Sequence, residues 1–172
     1  CNCSFCSFAA SNRIFTEHKV EAIESVIAKS LRLQADGANA IYLMTTASFS
    51  FAEFLNIGRL VRSSLEKATP LVANIGDFGD QEAIALKEAG FNGVYHAVRL
   101  GESLTTRIAV QKRLDTISAV RRAGLKLGTC VEPIGPEHSL DELVEKILIT
   151  RESHPVFSGA MRRIPIPNTA LA

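Results

Sequence analysis

Glu88-Ala89-Gly90-Phe91 and Arg122-Ala123-Gly124-Leu125 are one joint written twice. In each, a helix-compatible stretch runs into Ala-Gly and an apolar residue follows. Glycine takes the left-handed conformation that closes a helix, and the apolar residue opens a strand. The same alternation extends outward in both directions. Val20 to Ala35 carries Val20, Ile23, Val26, Ile27 and Leu31 at helical spacing and stops at Asp36-Gly37. Ala40 to Met44 is a short apolar run ahead of Thr45-Thr46. Phe51 to Ala68 is helical again, with Phe54, Leu55, Leu60, Val61 and Leu65 on its inner side, and Leu71 to Ile75 follows as a strand after Pro70. Gln81 to Ala89 predicts a helix, Gly93 to Leu100 a strand, and Leu114 to Ala123 a helix. Leu125 to Val131 (strand), Leu140 to Ile149 (helix) and Phe157 to Ile166 (strand) complete the series.

Apolar strands alternating with amphipathic helices dictate an α/β fold: a parallel sheet with helices on its outer face. Five strands are legible, and a cysteine-rich segment precedes the first helix. A further strand is therefore expected ahead of Cys1. That gives about six βα units, a partial (βα)6 TIM-type barrel with its first strand missing, as one domain over residues 1–172. In such barrels the chemistry sits at the C-terminal ends of the strands. The loops to inspect are Cys1–Thr16, Thr45–Ser50, Ile75–Asp80, Val98–Arg107 and Val131–Ser139.

Composition narrows the function. Hydrophobic residues make up 47% of the 172 and charged residues 22%, which is globular and not disordered. A net charge of +1 leaves no electrostatic footprint for nucleic acid. No apolar run approaches the roughly 18 residues that span a bilayer, so no membrane partner is expected.

Three of the four cysteines fall in Cys1-Asn2-Cys3-Ser4-Phe5-Cys6, and the fourth, Cys130, is far away. Cys3 and Cys6 at C-x-x-C spacing could form a redox disulfide, but thioredoxin-like βαβ surroundings are lacking. A soft metal or cluster site in a reducing, cytoplasmic compartment is the better reading. The chain opens on cysteine with no initiator methionine, so the expectation is a piece of a longer protein, cut inside a metal-binding loop.

Cys-x-aromatic-Cys at the mouth of a parallel βα barrel resembles the radical S-adenosylmethionine (SAM) enzymes, whose usual motif is Cys-x3-Cys-x2-Cys. The resemblance implies that Cys3 and Cys6 are the second and third ligands of a 4Fe-4S cluster. The first ligand would lie two places before Cys1, leaving Cys1 inside the x3 gap as a bystander; a variant in which Cys1 itself ligates is the other option. Three cysteines leave one iron open to chelate SAM, whose reductive cleavage yields a deoxyadenosyl radical for hydrogen abstraction. Phe5 would cover the cluster and adenine region, and Phe5 and Phe8 would pack the loop onto the barrel.

The likeness covers almost the whole chain and is strongest to the biotin-synthase-like branch, which includes hydrogenase-maturation and methylornithine-forming enzymes. Lys112-Arg113-Leu114-Asp115-Thr116-Ile117, with Val120-Arg-Arg-Ala-Gly124-Leu-Lys126, is similar to that branch's Glu-Arg-Leu-Asp-Thr helix and its Ala-Gly-Ile-Lys exit. This implies that Arg113 contacts the SAM carboxylate; without the family, a solvated helix arginine is the simpler reading. Glu102 is implied for the ribose hydroxyls or amino group of SAM. Arg99 could pair with Glu102 or bind an acidic substrate, and His96 reads as a core or rim histidine. Val131-Glu132-Pro133-Ile134-Gly135-Pro136-Glu137-His138 resembles the loop that meets adenine, implying Ile134 and Gly135. Glu132 and His138 are unusual for the family, and either could face substrate. Ser139 with Glu142 three residues on reads as a capping box. Thr45-Thr46-Ala47 occupies the place of a Gly-Gly-Glu-like stretch, so Thr46 would serve the SAM amine in place of the missing acid. The end of the chain, Arg163 to Ala172, resembles the family's sixth strand and tail.

Biotin synthase's second cluster needs cysteines on inner strand positions. The matching places fall near Met44, Ala73 and Gly128, none of them cysteine, and Cys130 reads as a buried strand residue. Lipoate-type sulfur insertion, carbon-skeleton rearrangement and cofactor maturation stay open. Implied partners are a small-molecule or carrier-bound substrate and an electron donor such as ferredoxin or flavodoxin. The chain as it stands is expected to be inactive. Two rivals remain: a zinc-binding module using Cys1, Cys3, Cys6 and a histidine such as His18, and a non-redox βα-barrel enzyme acting on a phosphorylated substrate.

Overall fold

A computed structural model describes residues 3–17 and 19–171. The regular elements alternate: α1 (Ile23–Ala35), β1 (Ile41–Met44), α2 (Phe51–Ser64), β2 (Leu71–Asn74), α3 (Asp80–Glu88), β3 (Gly93–Tyr95), α4 (Val110–Arg122), β4 (Lys126–Ile134), α5 (Leu140–Glu152) and β5 (Phe157–Arg162). The strands run in sequence order, β1-β2-β3-β4-β5, in one sheet that does not close on itself. The pairings β1–β2, β2–β3 and β4–β5 are parallel. This is the open α/β arrangement of a partial βα barrel. Among the described residues no helix is long and apolar enough to cross a membrane.

Contacts group the chain into two compact units, one of Lys19–Tyr95 with Ala119–Lys126, the other of Cys1–His18, His96–Ser118 and Leu127–Ala172. In the first, β1 and β2 pair Ile41 with Leu71 and Leu43 with Ala73, all four buried. Their neighbours Tyr42 and Met44 are exposed, so β1 alternates between buried and exposed positions although its sequence is apolar throughout. Helix α2 buries Phe54, Leu55, Ile57, Gly58 and Val61. Phe54 stacks on Phe91 at 5.4 Å, and Gly58 leaves room for that ring. Leu60, expected inside, is exposed. Val20 precedes α1 and is exposed as well.

Both Ala-Gly joints close as expected. Gly90 has φ +90° and Gly124 φ +69°, and the apolar residues after them, Phe91 and Leu125, are buried. Strand β3 is shorter than its sequence predicts, ending at Tyr95, and α4 begins four residues earlier, at Val110. In the second unit the backbone after β3 still follows β4, with His96 N donating to Gly128 O (3.0 Å) and Leu100 N to Glu132 O (2.8 Å). Between those points the amide of Arg99 donates to the carboxylate of Glu102 (2.9 Å), which takes the chain out of strand geometry.

Gly90 allows a direct test of the joints. A Cβ there would lie 2.5 Å from Cγ of Arg62, whose guanidinium donates to the carbonyls of Thr69, Leu65 and Glu66. Gly90→Ala should lose about 2–3 kcal/mol in urea unfolding, combining left-handed strain with displacement of that side chain. Gly37→Ala, at φ +86° with nothing within 4 Å, should lose only about 1 kcal/mol. Equal losses would remove Arg62 from the explanation.

Candidate functional site

The cysteine turn is held through its backbone. Cys6 N donates to Cys3 O (3.1 Å), and the side-chain amide of Asn12 donates to the carbonyls of Cys6 (2.8 Å) and Cys3 (3.3 Å). Ser4 N donates to Thr105 O (2.9 Å), and Ala170 N donates to Ser4 O (3.0 Å). The turn thus rests on the segment after β3 and on the C-terminal tail, all within one compact unit. Cys3 is buried and Cys6 half-buried. Burial pushes the Cys3 thiol above its ordinary value; Arg99 pulls it back, Cys6 and Glu102 push it further up, and Arg113 pulls it down. Those influences identify Cys3, Cys6, Arg99, Glu102 and Arg113 as one constellation.

Its centre is Glu102. One carboxylate oxygen accepts from the hydroxyl of Thr106, the other from Arg99 N (2.9 Å) and Arg113 Nε (3.2 Å). The side chains of Glu102 and Arg113 are 0% and 4% exposed. Arg113 is therefore a buried ion-pair partner and not a solvated helix arginine. The winding around Glu102 drives Ser103 (φ 73°) and Arg107 (φ 57°) into the left-handed region, where a side chain costs about 1 kcal/mol or more. Arg99 pairs with Glu132 (Nε to Oε1, 3.3 Å) and not through its side chain with Glu102.

The loop after β4 adds a second polar cluster. Ile134 ends the strand and its carbonyl accepts from Arg163 N (2.7 Å), while Gly135 O accepts from His138 N (3.3 Å). The His138 ring lies between Pro133 O and Glu142 Oε2, each at 3.1 Å. Ser139 caps α5 by accepting from Glu142 N (3.1 Å). The Glu142 carboxylate reaches Gly101 N (2.7 Å) and His138, so only half of the predicted capping box forms. Glu137 pairs with Arg163. Burial resists ionisation of Glu137, but hydrogen bonds from its own amide and from Arg163 outweigh that and hold its carboxyl below the usual range.

Phe5 is half-buried beside these groups in sequence, whereas Phe8 is 67% exposed and stacks on Phe15 at 5.1 Å instead of packing inward. Thr46 belongs to the other unit; it is exposed, with Oγ1 3.5 Å from Ser48 Oγ. Its neighbour Thr45 has a buried hydroxyl without a hydrogen-bond partner among the described residues. His96 and Cys130 are buried, and Cys130 Sγ lies 3.8 Å from Val131 O. Cys1 and His18 lie outside the described residues. Among the described residues no group of three or more His, Cys, Asp or Glu side chains is arranged to hold a metal ion. Asn12, Thr106 and Glu142 were not anticipated as supports of the site; nothing in their local sequence marks partners that are distant or off the helix.

Two measurements test this geometry. Glu102→Gln leaves Arg113 buried without its carboxylate and should cost about 3–5 kcal/mol in urea unfolding; the Glu102→Gln/Arg113→Met double variant should recover part of it. In metal-free protein the folded chain holds the Cys3 proton more tightly than the unfolded chain. Stability should therefore fall as pH rises past the ordinary thiol value of 9.0, and Cys3→Ala should remove that slope.

No family model matches the sequence. Among curated proteins, the chain is 26% identical to a biotin synthase of Desulforudis audaxviator (strain MP104C) over 99% of its own length and 54% of the relative's. A biotin synthase of Thermus thermophilus is 27% identical, again over 99% of the chain and 54% of the relative. The chain thus spans about half the length of the curated relatives it matches. Its fold matches methylornithine synthase (PylB) with TM-score 0.77 at 17% identity, covering 99% of the chain and 52% of PylB. It matches the hydrogenase maturase HydG of Carboxydothermus hydrogenoformans with TM-score 0.76 at 15% identity, covering 99% and 43%. Across nearly its whole length the chain is thus similar to about half of a biotin synthase, and it shares the fold of PylB and HydG.

Proposed function

We propose that this chain binds a 4Fe-4S cluster and SAM and serves a radical enzyme that abstracts hydrogen from a small or carrier-bound substrate. The observation that carries the reading is the Cys3–Cys6 turn, pinned by Asn12 beside the Arg99–Glu102–Arg113 constellation. The donor chemistry fits: both side chains are soft thiols. Burial favours the protonated form of Cys3, so a bound cation would displace that proton and supply the compensating charge. When bound, cluster and SAM supply a carbon radical by reductive cleavage, with the electron drawn from a donor such as ferredoxin or flavodoxin.

The chain's own residues supply orientation and exclusion of water. Cys3 and Cys6 would hold the cluster, and Phe5 would shield it. Arg113, its charge fixed by Glu102, would bias the SAM carboxylate toward this side. Ile134 and Gly135 would offer backbone to the adenine edge. A cytoplasmic setting would keep the thiols reduced.

Anaerobic reconstitution of the full-length protein with iron and sulfide tests the reading. The protein should turn brown with absorbance near about 400 nm and release 5′-deoxyadenosine from SAM under dithionite. Cys3→Ala and Cys6→Ala should bring iron content and SAM cleavage to background, while Cys130→Ala, altering a buried strand residue, should keep its iron. A colourless protein holding zinc would replace this reading with the zinc-binding one.

A further inference from the structure

Two arginines act electrostatically on Cys3, and their situations differ. Arg113 is deep, 4% exposed, and spent on a carboxylate that is itself 0% exposed. Arg99 is 26% exposed at its side chain, and its partner Glu132 is 9% exposed. The backbone of Arg99 is fixed at both groups: its N–H donates to Glu102 Oε2 (2.9 Å) and its carbonyl accepts from Glu102 N (3.2 Å). The next amide, Leu100 N, donates to Glu132 O (2.8 Å), so the two residues of the pair are carried on backbones that are tied together. Glu132 meets the guanidinium at Nε. No hydrogen bond runs from the two Nη groups of Arg99 to any described residue. The result is a partly exposed cation, held at its Nε edge by Glu132, that acts on Cys3 and keeps a planar donor fork. Such a fork matches the two oxygens of a carboxylate, and partial burial strengthens the contact relative to one in open water.

We propose that Arg99, held by Glu132, recognises a carboxylate of the substrate, which is therefore a carboxylic acid. The reaction in which that acid takes part rests on the radical reading above; the recognition itself does not need the cluster. A carboxylate could also come from SAM, and the two sources are separable because SAM binding is measured independently.

The probe is hexanoate, with hexanamide as its uncharged match, titrated by calorimetry into metal-free protein and into protein reconstituted with cluster and SAM. The acid should bind about tenfold more tightly than the amide in both forms, the scale of one charge-assisted bidentate contact. Arg99→Gln should abolish that preference, and Arg99→Lys, which keeps the charge but loses the fork, should retain part of it. Arg99→Gln removes the cation beside Glu132, so the Arg99→Gln/Glu132→Gln double variant repeats the test with the charge balanced. SAM affinity, read by equilibrium dialysis, should fall by less than the acid preference does in these variants, since the inferred contact is not with SAM. Equal binding of acid and amide, or a preference that survives Arg99→Gln, overturns the inference. So does a tenfold loss of SAM affinity in Arg99→Gln, which would assign the fork to SAM. If the radical reading alone is wrong, iron and SAM fail to bind while the acid preference persists in metal-free protein.

Discussion

A carboxylate taken out of water must be compensated by donors or a cation, and Glu102 is compensated by both. Its 0% exposed side chain takes the Thr106 hydroxyl, the Arg99 amide and the Arg113 guanidinium. Removing any one partner of so buried a pair leaves the other uncompensated, which is where the energetic penalty is large. Much of the site follows from that requirement. The chain leaves strand β3 early, winds through residues 99–107 at the cost of two left-handed side-chain positions, and enters α4 with Arg113 facing inward. The cysteine turn then rests on this segment through Ser4 and Thr105. Glu102 thus supports the thiols through backbone that is wrapped around it.

The second polar cluster braces the same segment from the side of α5. Glu142 accepts from Gly101 N, next to Glu102, and also meets His138, whose ring reaches Pro133 O. One helix-terminal glutamate therefore joins the loop after β4 to the loop after β3. Arg99, from the loop after β3, and Glu132, near the end of β4, form a pair held at both backbones. Side chains fixed in this way lose little further freedom on binding a ligand, which favours affinity and selectivity.

The alternation of elements was legible because it depends on local signals. The Ala-Gly joints, the apolar strand runs and the Ser139 cap all act within a few residues, and each appears in the structure. Failures came where a distant or buried partner overrode the local preference. The stretch through Leu100 has strand composition, yet β3 stops at Tyr95, and within that stretch the Arg99 amide donates to the Glu102 carboxylate. Glu142 stands where a capping box needs it, but its carboxylate is drawn to Gly101. Arg113 looks like a solvated helix residue by pattern; the family resemblance placed it in the site, and its ion pair with Glu102 explains its burial. Asn12 carries no local signal for bonds to Cys3 and Cys6 carbonyls, since those depend on how the loop folds back. Phe8 shows the reverse limit: an apolar residue next to the cysteines is exposed and stacks on another loop aromatic, Phe15.

The central claim is that the cysteine turn binds a cluster whose open iron takes SAM. Electron paramagnetic resonance of the reconstituted, dithionite-reduced protein tests it most directly, with spectra recorded before and after SAM is added. The account predicts a paramagnetic iron–sulfur signal whose g values shift on SAM addition, because a new ligand at one iron alters the cluster's electronic structure. A signal identical with and without SAM, or no iron–sulfur signal in protein shown to be folded, would contradict it.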